Sequence, residues 1–558
     1  MIIDVIPLRR LPTSLPLLSY RVPSDQPISV GSLVRVPFRG RSIEAIVWSL
    51  TSSYTGQVHD IDRVLTPSPV ITPWQRTIID ASCTRHATTP TQLLSLALPA
   101  IRTLQKTQII REAVELPAAR SHWYVSRAEA LQELTQRLAN YSGPTVILCA
   151  TKEAVTEMLT LLPDAHRCDS DTSQRHYGQL YNGVADGTIR QVVGTASALF
   201  LPFPTAPYVV IDQEELSGHQ QTQRSPFLDP RAILDALAFP TTVLTPAPSL
   251  RFWRQHHPAT PTTTQTRTLG RLDQGIAAPL ISAAVSCTPN DRVFWLLPRR
   301  GFAGSISCRN CHWVFSCPNC QRTLRWGARQ AQQATCHFCN QSNIVPATCP
   351  NCQSAQIDFH GFSSEKVRES IDAIQLPGQH TVASYHELWE VDPTIVIHVC
   401  GEALLQVQDF SAEERAWQML HRISARFPLA QHTIQTYQPN FSAWQYWATS
   451  QPDAWYSRAL DERQRLSLPP AVDSWILHWR GTDGKQQIAD ARQRLKEAFG
   501  STITCIEPPV HQKRIGTLPR YRLMLSAAPG KRLFDLIDWR QFFPAPWTID
   551  TSPQGWLV

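Results

Sequence analysis

The sequence predicts a multidomain α/β protein, with a β-rich N-terminal domain, a long parallel-sheet region, a cysteine module within that region and a further domain toward the C-terminus. Three observations carry this. A chain of 558 residues has room for three or four cores. Its hydrophobic pattern changes from strict alternation in the first hundred residues to short apolar runs separated by helical stretches beyond about residue 120. Four consecutive C-x-x-C pairs fall between Cys308 and Cys352. Hydrophobic content of 42% with 17% charged residues is that of a globular protein, and no apolar run approaches the ~18 residues of a membrane span. Asp4 precedes a short apolar stretch, which is not the order of a secretory signal, so a soluble cytoplasmic protein is expected. A net charge of +7 and a pI near 8.7 permit nucleic-acid binding without deciding it.

In the N-terminal domain, residues 31–38 alternate apolar with polar positions, and residues 42–48 follow after a Gly/Arg turn. This reads as a hairpin on a small barrel or sandwich. Arg35, Arg39 and Arg41 surround its tip, either as phosphate contacts or as a solvated loop. Beyond it, residues 144–150 read as a buried strand followed by a helix over 152–162. Residues 190–195, 208–215 and 242–246 read as further strands, together a parallel-sheet layout. Chemistry in such sheets sits at the strand carboxyl ends, which places Thr195, Asp212, Glu214 and Thr245 where a nucleotide site belongs. The 44 prolines fall largely in connecting stretches, and residues 257–266 read as an extended connector.

A nucleotide-driven motor needs a Gly-rich loop whose backbone N–H groups and lysine hold phosphates. The pattern G-x-x-x-x-G-K-[ST] is absent from the chain. Gly484-Lys485 and Gly530-Lys531 lack the earlier glycine and the following hydroxyl, and they lie near the C-terminus. Where the loop would be expected, residues 123–131 read as an ordinary helix start capped near Ser126. Asp212-Gln213-Glu214-Glu215 has the look of a magnesium-binding motif, but without the loop it is read as a polar strand end. Trp444, Tyr446, Trp447, Trp455 and Tyr456 could stack on bases, and are read instead as core.

The cysteines form the pairs Cys308/Cys311, Cys317/Cys320, Cys336/Cys339 and Cys349/Cys352. Eight thiolates are the ligand count of two closed tetrahedral zinc sites, which organise a fold and leave no position for a catalytic water. A disulfide framework suits a secreted chain, a redox pair would occur once, and iron–sulfur ligation is the remaining alternative. Spacing leaves open whether the pairs combine side by side or nested.

Further motifs give a family likeness. Pro298-Arg-Arg-Gly-Phe-Ala, Cys308-Arg-Asn-Cys-His-Trp, Cys317-Pro-Asn-Cys, Cys349-Pro-Asn-Cys, Gly194-Thr-Ala-Ser-Ala-Leu-Phe-Leu-Pro-Phe, Val34-Arg-Val-Pro-Phe and Glu462-Arg-Gln-Arg-Leu-Ser-Leu-Pro-Pro occur in that family's order. Together they resemble the PriA (primosomal protein N′) family of superfamily 2 DNA helicases. The resemblance implies a 3′-DNA-binding domain over residues 1–105 and a RecA-like helicase lobe over 120–255. A second lobe would cover 270–305 and 353–445, with a two-zinc module over 306–353 inserted in it, and an α+β C-terminal domain would cover 455–558.

Both lobes are expected to be degenerate. The family's Asp-Glu-Glu-His is Asp212-Gln-Glu-Glu here, its Ser-Ala-Thr-Pro is Leu244-Thr-Pro-Ala-Pro, its Gly-Thr-Gln is replaced around Ile397, and its glycine-arginine motif survives only as Arg422 and Arg426. The winged-helix insert is missing as well. The resemblance implies a nested pairing, with Cys308, Cys311, Cys349 and Cys352 on one Zn²⁺ and Cys317, Cys320, Cys336 and Cys339 on a second. It aligns the family's 3′-end pocket with Leu18, Ser19 and Arg63; Ser19 can hydrogen-bond a 3′ hydroxyl and Arg63 can meet phosphate.

Candidate DNA-binding residues are therefore Ser19, Arg35, Arg39, Arg63, Lys513 and Arg514. The last two belong to a basic stretch with Arg520, Arg522, Lys531 and Arg532. The expectation is a monomeric fork-binding protein that meets forked, single-stranded and duplex DNA together with primosome and replisome proteins. It would have no catalytic or nucleotide-binding residues and no membrane contact. The alternative is an active ATP-dependent 3′–5′ helicase with an unrecognised nucleotide site.

Overall fold

The structure is a computed structural model. It describes the chain apart from residues 10–16, 24–25, 52–57, 105, 111–114, 222–225, 272–286, 298–304, 312, 319–323, 327–332, 337–340, 361–363, 386–391, 406–408, 508–512, 516–517 and 556–558. The motif beginning at Pro298 lies outside the described residues, as do Cys320 and Cys339.

Six strands form the N-terminal sheet: β1 (Ile2–Pro7), β2 (Leu18–Arg21), β3 (Ser32–Phe38), β4 (Arg41–Thr51), β5 (His59–Asp60) and β6 (Arg63–Pro69), in the order β5-β2-β1-β4-β3-β6. The expected hairpin is β3–β4. Phe38 pairs with Arg41, leaving a two-residue turn in which Arg39 and Gly40 both have positive φ, 48° and 74°. That is the backbone a tight hairpin of right-twisted strands requires. β5 pairs with β2 while β6 pairs with β3, so one short segment holds strands from opposite ends of the order. The backbone bonds Ile61 N–H to Arg21 O and Asp62 N–H to Arg35 O curl the sheet toward closure.

Two helices follow, Pro73–Arg85 and Pro90–Ala97, each with Pro in its first turn and a capping box, Thr72 with Gln75 and Thr89 with Gln92. Their buried faces share one core with Val146, Leu148 and Val192 of the next domain. The N-terminal domain is thereby packed onto the first parallel sheet.

That sheet comprises β7 (Ser121–Trp123), β8 (Thr145–Leu148), β9 (His166–Cys168), β10 (Gln191–Gly194), β11 (Tyr208–Asp212) and β12 (Thr241–Thr245), ordered β7-β12-β11-β8-β10-β9 with every pair parallel. Parallel strands covered on both faces read as continuous apolar runs, which is why β8, β10, β11 and β12 were visible in the sequence, whereas β7 and β9, three-residue strands at the sheet edges, were not. A second parallel sheet has the order β13-β22-β21-β14-β20, from β13 (Arg267–Arg271), β14 (Arg292–Leu297), β20 (Gln379–Ser384), β21 (Ile395–His398) and β22 (Gln431–Thr436).

Between β14 and β20 the chain runs through the cysteine module, where β15 (Ser305–Cys308) pairs with β19 (Ile357–His360), and β16 (Arg325–Trp326), β17 (Gln333–Thr335) and β18 (Ser342–Ile344) form a small antiparallel sheet. Residues 474–550 build an antiparallel sheet, β24-β26-β23-β27 with β25 on β26, from β23 (Ser474–Arg480), β24 (Ile503–Ile506), β25 (Lys513–Ile515), β26 (Leu518–Ala527) and β27 (Thr548–Asp550). The helix Gly484–Phe499 packs on it.

The two parallel sheets are joined by an aromatic core. Trp123 and Leu250 from the first domain pack with Trp417 and Leu420 from the second and with Trp444, Trp447, Trp455 and Tyr456. Trp417 and Trp455 stack at 4.4 Å between ring centroids, and Trp123 meets Tyr456 edge-on at 5.6 Å. These aromatics are core, as expected; Tyr446 is half-buried against it.

One expectation is corrected. Arg520 and Arg522 are buried, 6% and 5% exposed, so the basic stretch does not present all its cations to phosphate. Both sit on β26 at an interval of two, which sends them to one face, and the Arg520 guanidinium lies over the Phe227 ring. Among the described residues no helix is long and apolar enough to cross a membrane.

Candidate metal centre, strand-end acids and DNA-binding residues

Cys308 closes β15, Cys311 follows in the turn, and Cys349 and Cys352 come from a second turn just before β19. Antiparallel pairing of Cys308 with Ile357 brings the two turns together. All four Sγ atoms lie within 4.8 Å of one another, with Cys308–Cys352 and Cys311–Cys349 each at 3.5 Å. Zn–S bonds of about 2.3 Å in a tetrahedron require S–S separations of about 3.8 Å, so the donor set fits a zinc ion. The turns also serve each other's ligands. Asn310 Nδ2 donates to Cys352 Sγ at 3.7 Å and Asn351 Nδ2 to Cys311 Sγ at 3.4 Å, which is outer-shell support of the kind thiolate sites use. The Asn351 amide draws the Cys311 thiol down to about 6, toward the thiolate a metal needs. First and last pairs converge here, as nested pairing demands. Of the inner four, Cys317 and Cys336 are buried in one cluster with Ile306, Leu324 and Ala334.

At the strand carboxyl ends the expected polar acids are buried and already partnered. β7 ends at Trp123 and the helix Arg127–Ala139 starts at once, with Ser126 Oγ accepting from Glu129 N–H. Arg127, the first residue of that helix, grips Asp212 through both guanidinium nitrogens, Nη2 to Oδ2 at 2.8 Å, and Asp212 is 0% exposed. Burial alone would weaken the Arg127 charge, yet Asp212 outweighs it and holds the guanidinium well above its ordinary value. Glu214 accepts from Ser249 Oγ at 2.7 Å and from Ser249 N–H at 2.9 Å, although burial still raises its carboxyl. Glu215 accepts from Thr245 Oγ1 at 2.9 Å, and burial pushes it up to about 8. Arg231 pairs with Asp229 at 2.9 Å; burial opposes the Asp229 charge, but Arg231 and Arg251 hold that carboxyl well below its usual range. A helix N-terminus after a parallel strand is where phosphates often bind, and the Arg127–Asp212 pair sits beside this one.

The DNA-binding candidates are dispersed. Ser19, on β2, donates to Asp4 Oδ1 at 2.7 Å, and Ser49 donates to Asp4 Oδ2 at 2.7 Å. Asp4 was not singled out from the sequence; the signal was its cross-strand register, opposite both Ser19 and Ser49. Arg35 is held by Glu44 at 2.7 Å and pairs across strands with Arg63, which is exposed at the start of β6. Arg39 is exposed in the hairpin turn, its guanidinium over the Phe38 ring at 5.5 Å. Among the described residues no hydrogen bond or ion pair joins Ser19 to these arginines. Lys513 and Arg514 lie on β25, paired with β26, and their side chains lie outside the described residues.

Residues 8–99 match the family model PriA_3primeBD, a 3′ DNA-binding domain. A replication restart protein PriA of Rickettsia conorii is 20% identical over 626 aligned residues, covering 94% of both chains. Over nearly its whole length the chain is similar to PriA proteins. PriA of Synechocystis is 26% identical over 60% of this chain, and PriA of Bacillus subtilis 23% identical over 50%. The matched stretch spans 49% and 42% of those two PriA proteins, about half their length. The family-model match encloses β2 to β6 and both Thr-capped helices, hence Ser19, Arg35, Arg39 and Arg63, whereas Asp4 lies just outside it.

Proposed function

We propose that this PriA-like protein binds DNA at arrested replication forks and supports primosome assembly in replication restart, without helicase or ATPase activity. The observation that carries the second half is the Arg127–Asp212 pair, which occupies the helix start where a phosphate loop and its magnesium carboxylate would act. Nucleotide-driven motors also cycle by moving one lobe against the other. The Trp123, Trp417, Trp455 and Tyr456 core cements the two parallel-sheet domains, and Glu414 accepts from Leu250 N–H at 2.9 Å across the same contact. Such an interface suits a rigid scaffold.

DNA contact is assigned to the N-terminal domain that matches the 3′ DNA-binding family. Exposed Arg39 and Arg63 meet phosphate, and the Asp4–Ser19–Ser49 cluster offers hydroxyl and carboxylate groups to a strand end. Two zinc ions hold the cysteine module, in the nested pairing, as a platform for DNA or partner proteins.

One preparation tests the proposal. Anisotropy should show tighter binding to a fork with a nascent 3′ end than to plain duplex at matched salt, with affinity falling steeply as salt rises. Phosphate release from ATP should stay at background with and without the fork. DNA-stimulated turnover, or equal affinity for fork and duplex, would overturn it.

A further inference from the structure

A small cavity of about 30 Å³ lies where the end of β7 meets the start of β13 and the helix Ala412–Arg426. Trp123, Tyr124 and Pro246 line it from one parallel-sheet domain, and Arg267, His421 and Ser424 from the other. Its size suits one water or one monatomic ion, and is far below the roughly 300–1,000 Å³ of sites for nucleotides and other small molecules. None of Asp212, Glu214, Glu215 or Arg422 borders it, so it is separate from the strand-end acids.

Three polar groups in this lining are left over by the fold. Ser424 Oγ is buried without a partner and does not bond back to the Leu420 carbonyl, the usual outlet of a serine inside a helix. His421 Nε2 is likewise buried and unpartnered, on a ring 4.5 Å from that of Trp417. The third is the Arg267 guanidinium, which makes no ion pair among the described residues. Its Nε donates to Gln265 Oε1 at 3.2 Å and its Nη1 to the Trp447 carbonyl at 3.4 Å, both neutral acceptors. Gln265 in turn donates to the carbonyls of Ser424 and Phe427, which pins the guanidinium beside the last turn of the helix.

A largely buried cation without a carboxylate is costly, and the helix end offsets only part of that cost. Burial lowers the Arg267 guanidinium to about 10, with no acid acting on it. The histidines nearby add no negative charge: burial, with Arg267 adding to it, holds His398, His421 and His432 neutral. A cation, an N–H and an O–H gathered around a space of atomic size have the chemistry of a monatomic anion site. Arg267 repels a metal ion, and a water would satisfy the two neutral groups but not the charge.

We infer that this cavity binds one chloride-sized anion, held by the Arg267 guanidinium, by His421 as its Nε2–H tautomer and by the Ser424 hydroxyl. Occupancy neutralises Arg267 and ties its domain to the end of β7, beside the aromatic core that already joins the two parallel sheets.

Urea unfolding of the full-length, zinc-loaded protein tests this in potassium chloride, potassium bromide and potassium gluconate at equal ionic strength, which separates anion binding from general screening. The midpoint should rise saturably with chloride and bromide, as a ligand bound only by the folded state requires, and not with gluconate, which is too large for the cavity. Arg267→Gln should abolish the chloride dependence. Ser424→Ala, which removes one oxygen and keeps the helix, should move it to about fivefold higher chloride. Arg465→Gln, exposed at the end of the helix Pro452–Arg465, should leave it as in the parent. Crystals grown in bromide and measured at the bromine absorption edge should show an anomalous peak in contact with Arg267 and Ser424. A midpoint that follows ionic strength alone, a chloride dependence unchanged in both Arg267→Gln and Ser424→Ala, or a cavity that holds only water in bromide would overturn the inference.

Discussion

The cysteine module and the strand-end acid cluster resolve the same problem in opposite ways. In the module, Cys308, Cys311, Cys349 and Cys352 bring four sulfurs within 4.8 Å of one another, and among the described residues no cationic side chain is bonded to them. Asp212 and Glu214 at a strand end, and Asp229 at a nearby helix start, are more fully buried than Cys311 and Cys352, but each is met by Arg127, Ser249 or Arg231. A set of ligand atoms without cationic partners favours an external ion, whereas a set already paired with its own cations and donors has less need of one. Potential ligand residues at motif positions therefore lead to different expectations in the two regions, and the partners decide between them.

Removing the metal is the hardest test of the first half of that contrast. Structural zinc contributes about 10–16 kcal/mol to the folding of small zinc-finger peptides, far more than a short three-stranded sheet and one strand pair supply. Cys349→Ser is expected to lower the zinc content by one ion per chain and to open residues 305–360 to limited proteolysis, while the parallel sheets stay resistant. Metal analysis and protease mapping read both. A module that stays closed with its zinc content halved would show that the thiols do not depend on an ion, and the contrast would collapse.

The second half is tested by Arg127→Met, which leaves the Asp212 carboxylate buried and alone. Loss of one partner of a buried pair costs about 3–5 kcal/mol, and replacing both by apolar groups is often neutral. The unfolding midpoint in denaturant should therefore fall sharply for Arg127→Met and recover largely in Arg127→Met/Asp212→Leu. Single and double variants that lose the same stability would mean that Arg127 acts through packing alone.

The legibility of these two regions in the sequence differed for a physical reason. Hydrophobic periodicity reports which face of an element is buried, so the β3–β4 hairpin, the runs around Val146 and Val209, and the Ser126 cap could all be read from local pattern. It does not report which buried polar group meets which. Arg127 and Asp212 are 85 positions apart, and nothing local distinguishes a helix-start arginine that reaches a strand end from one in solvent. The same gap hid the inward facing of Arg520 and Arg522 and the Asp4–Ser19 contact, which are set by register between strands. The cysteine spacing pointed to candidate ligands but not to their pairing; the β15–β19 pairing brings the outer four together.

Glu215 is the weakest point of the acid cluster and sharpens the comparison most finely. Its Oε2 has Thr245, its Oε1 has no partner, and burial raises it from 4.5 to about 8 despite Arg422. A carboxyl with a raised folded value keeps its proton in the native state after the unfolded chain has released its own. Its contribution to stability is therefore whole below about pH 4.5 and declines as pH rises toward about 8, by at most about 1.4 kcal/mol per pH unit. Glu215→Gln retains an acceptor and removes the titration. Parent and variant should differ little near pH 4.5; the variant should gain about 2 kcal/mol by pH 6, and the gap should stop widening above about pH 8. Denaturant midpoints across that range measure the gap. A gap that stays flat from pH 4.5 to 8 would mean that Glu215 is ionised and paired like its neighbours, making the cluster a fully charge-matched set with Arg422 as its last cation.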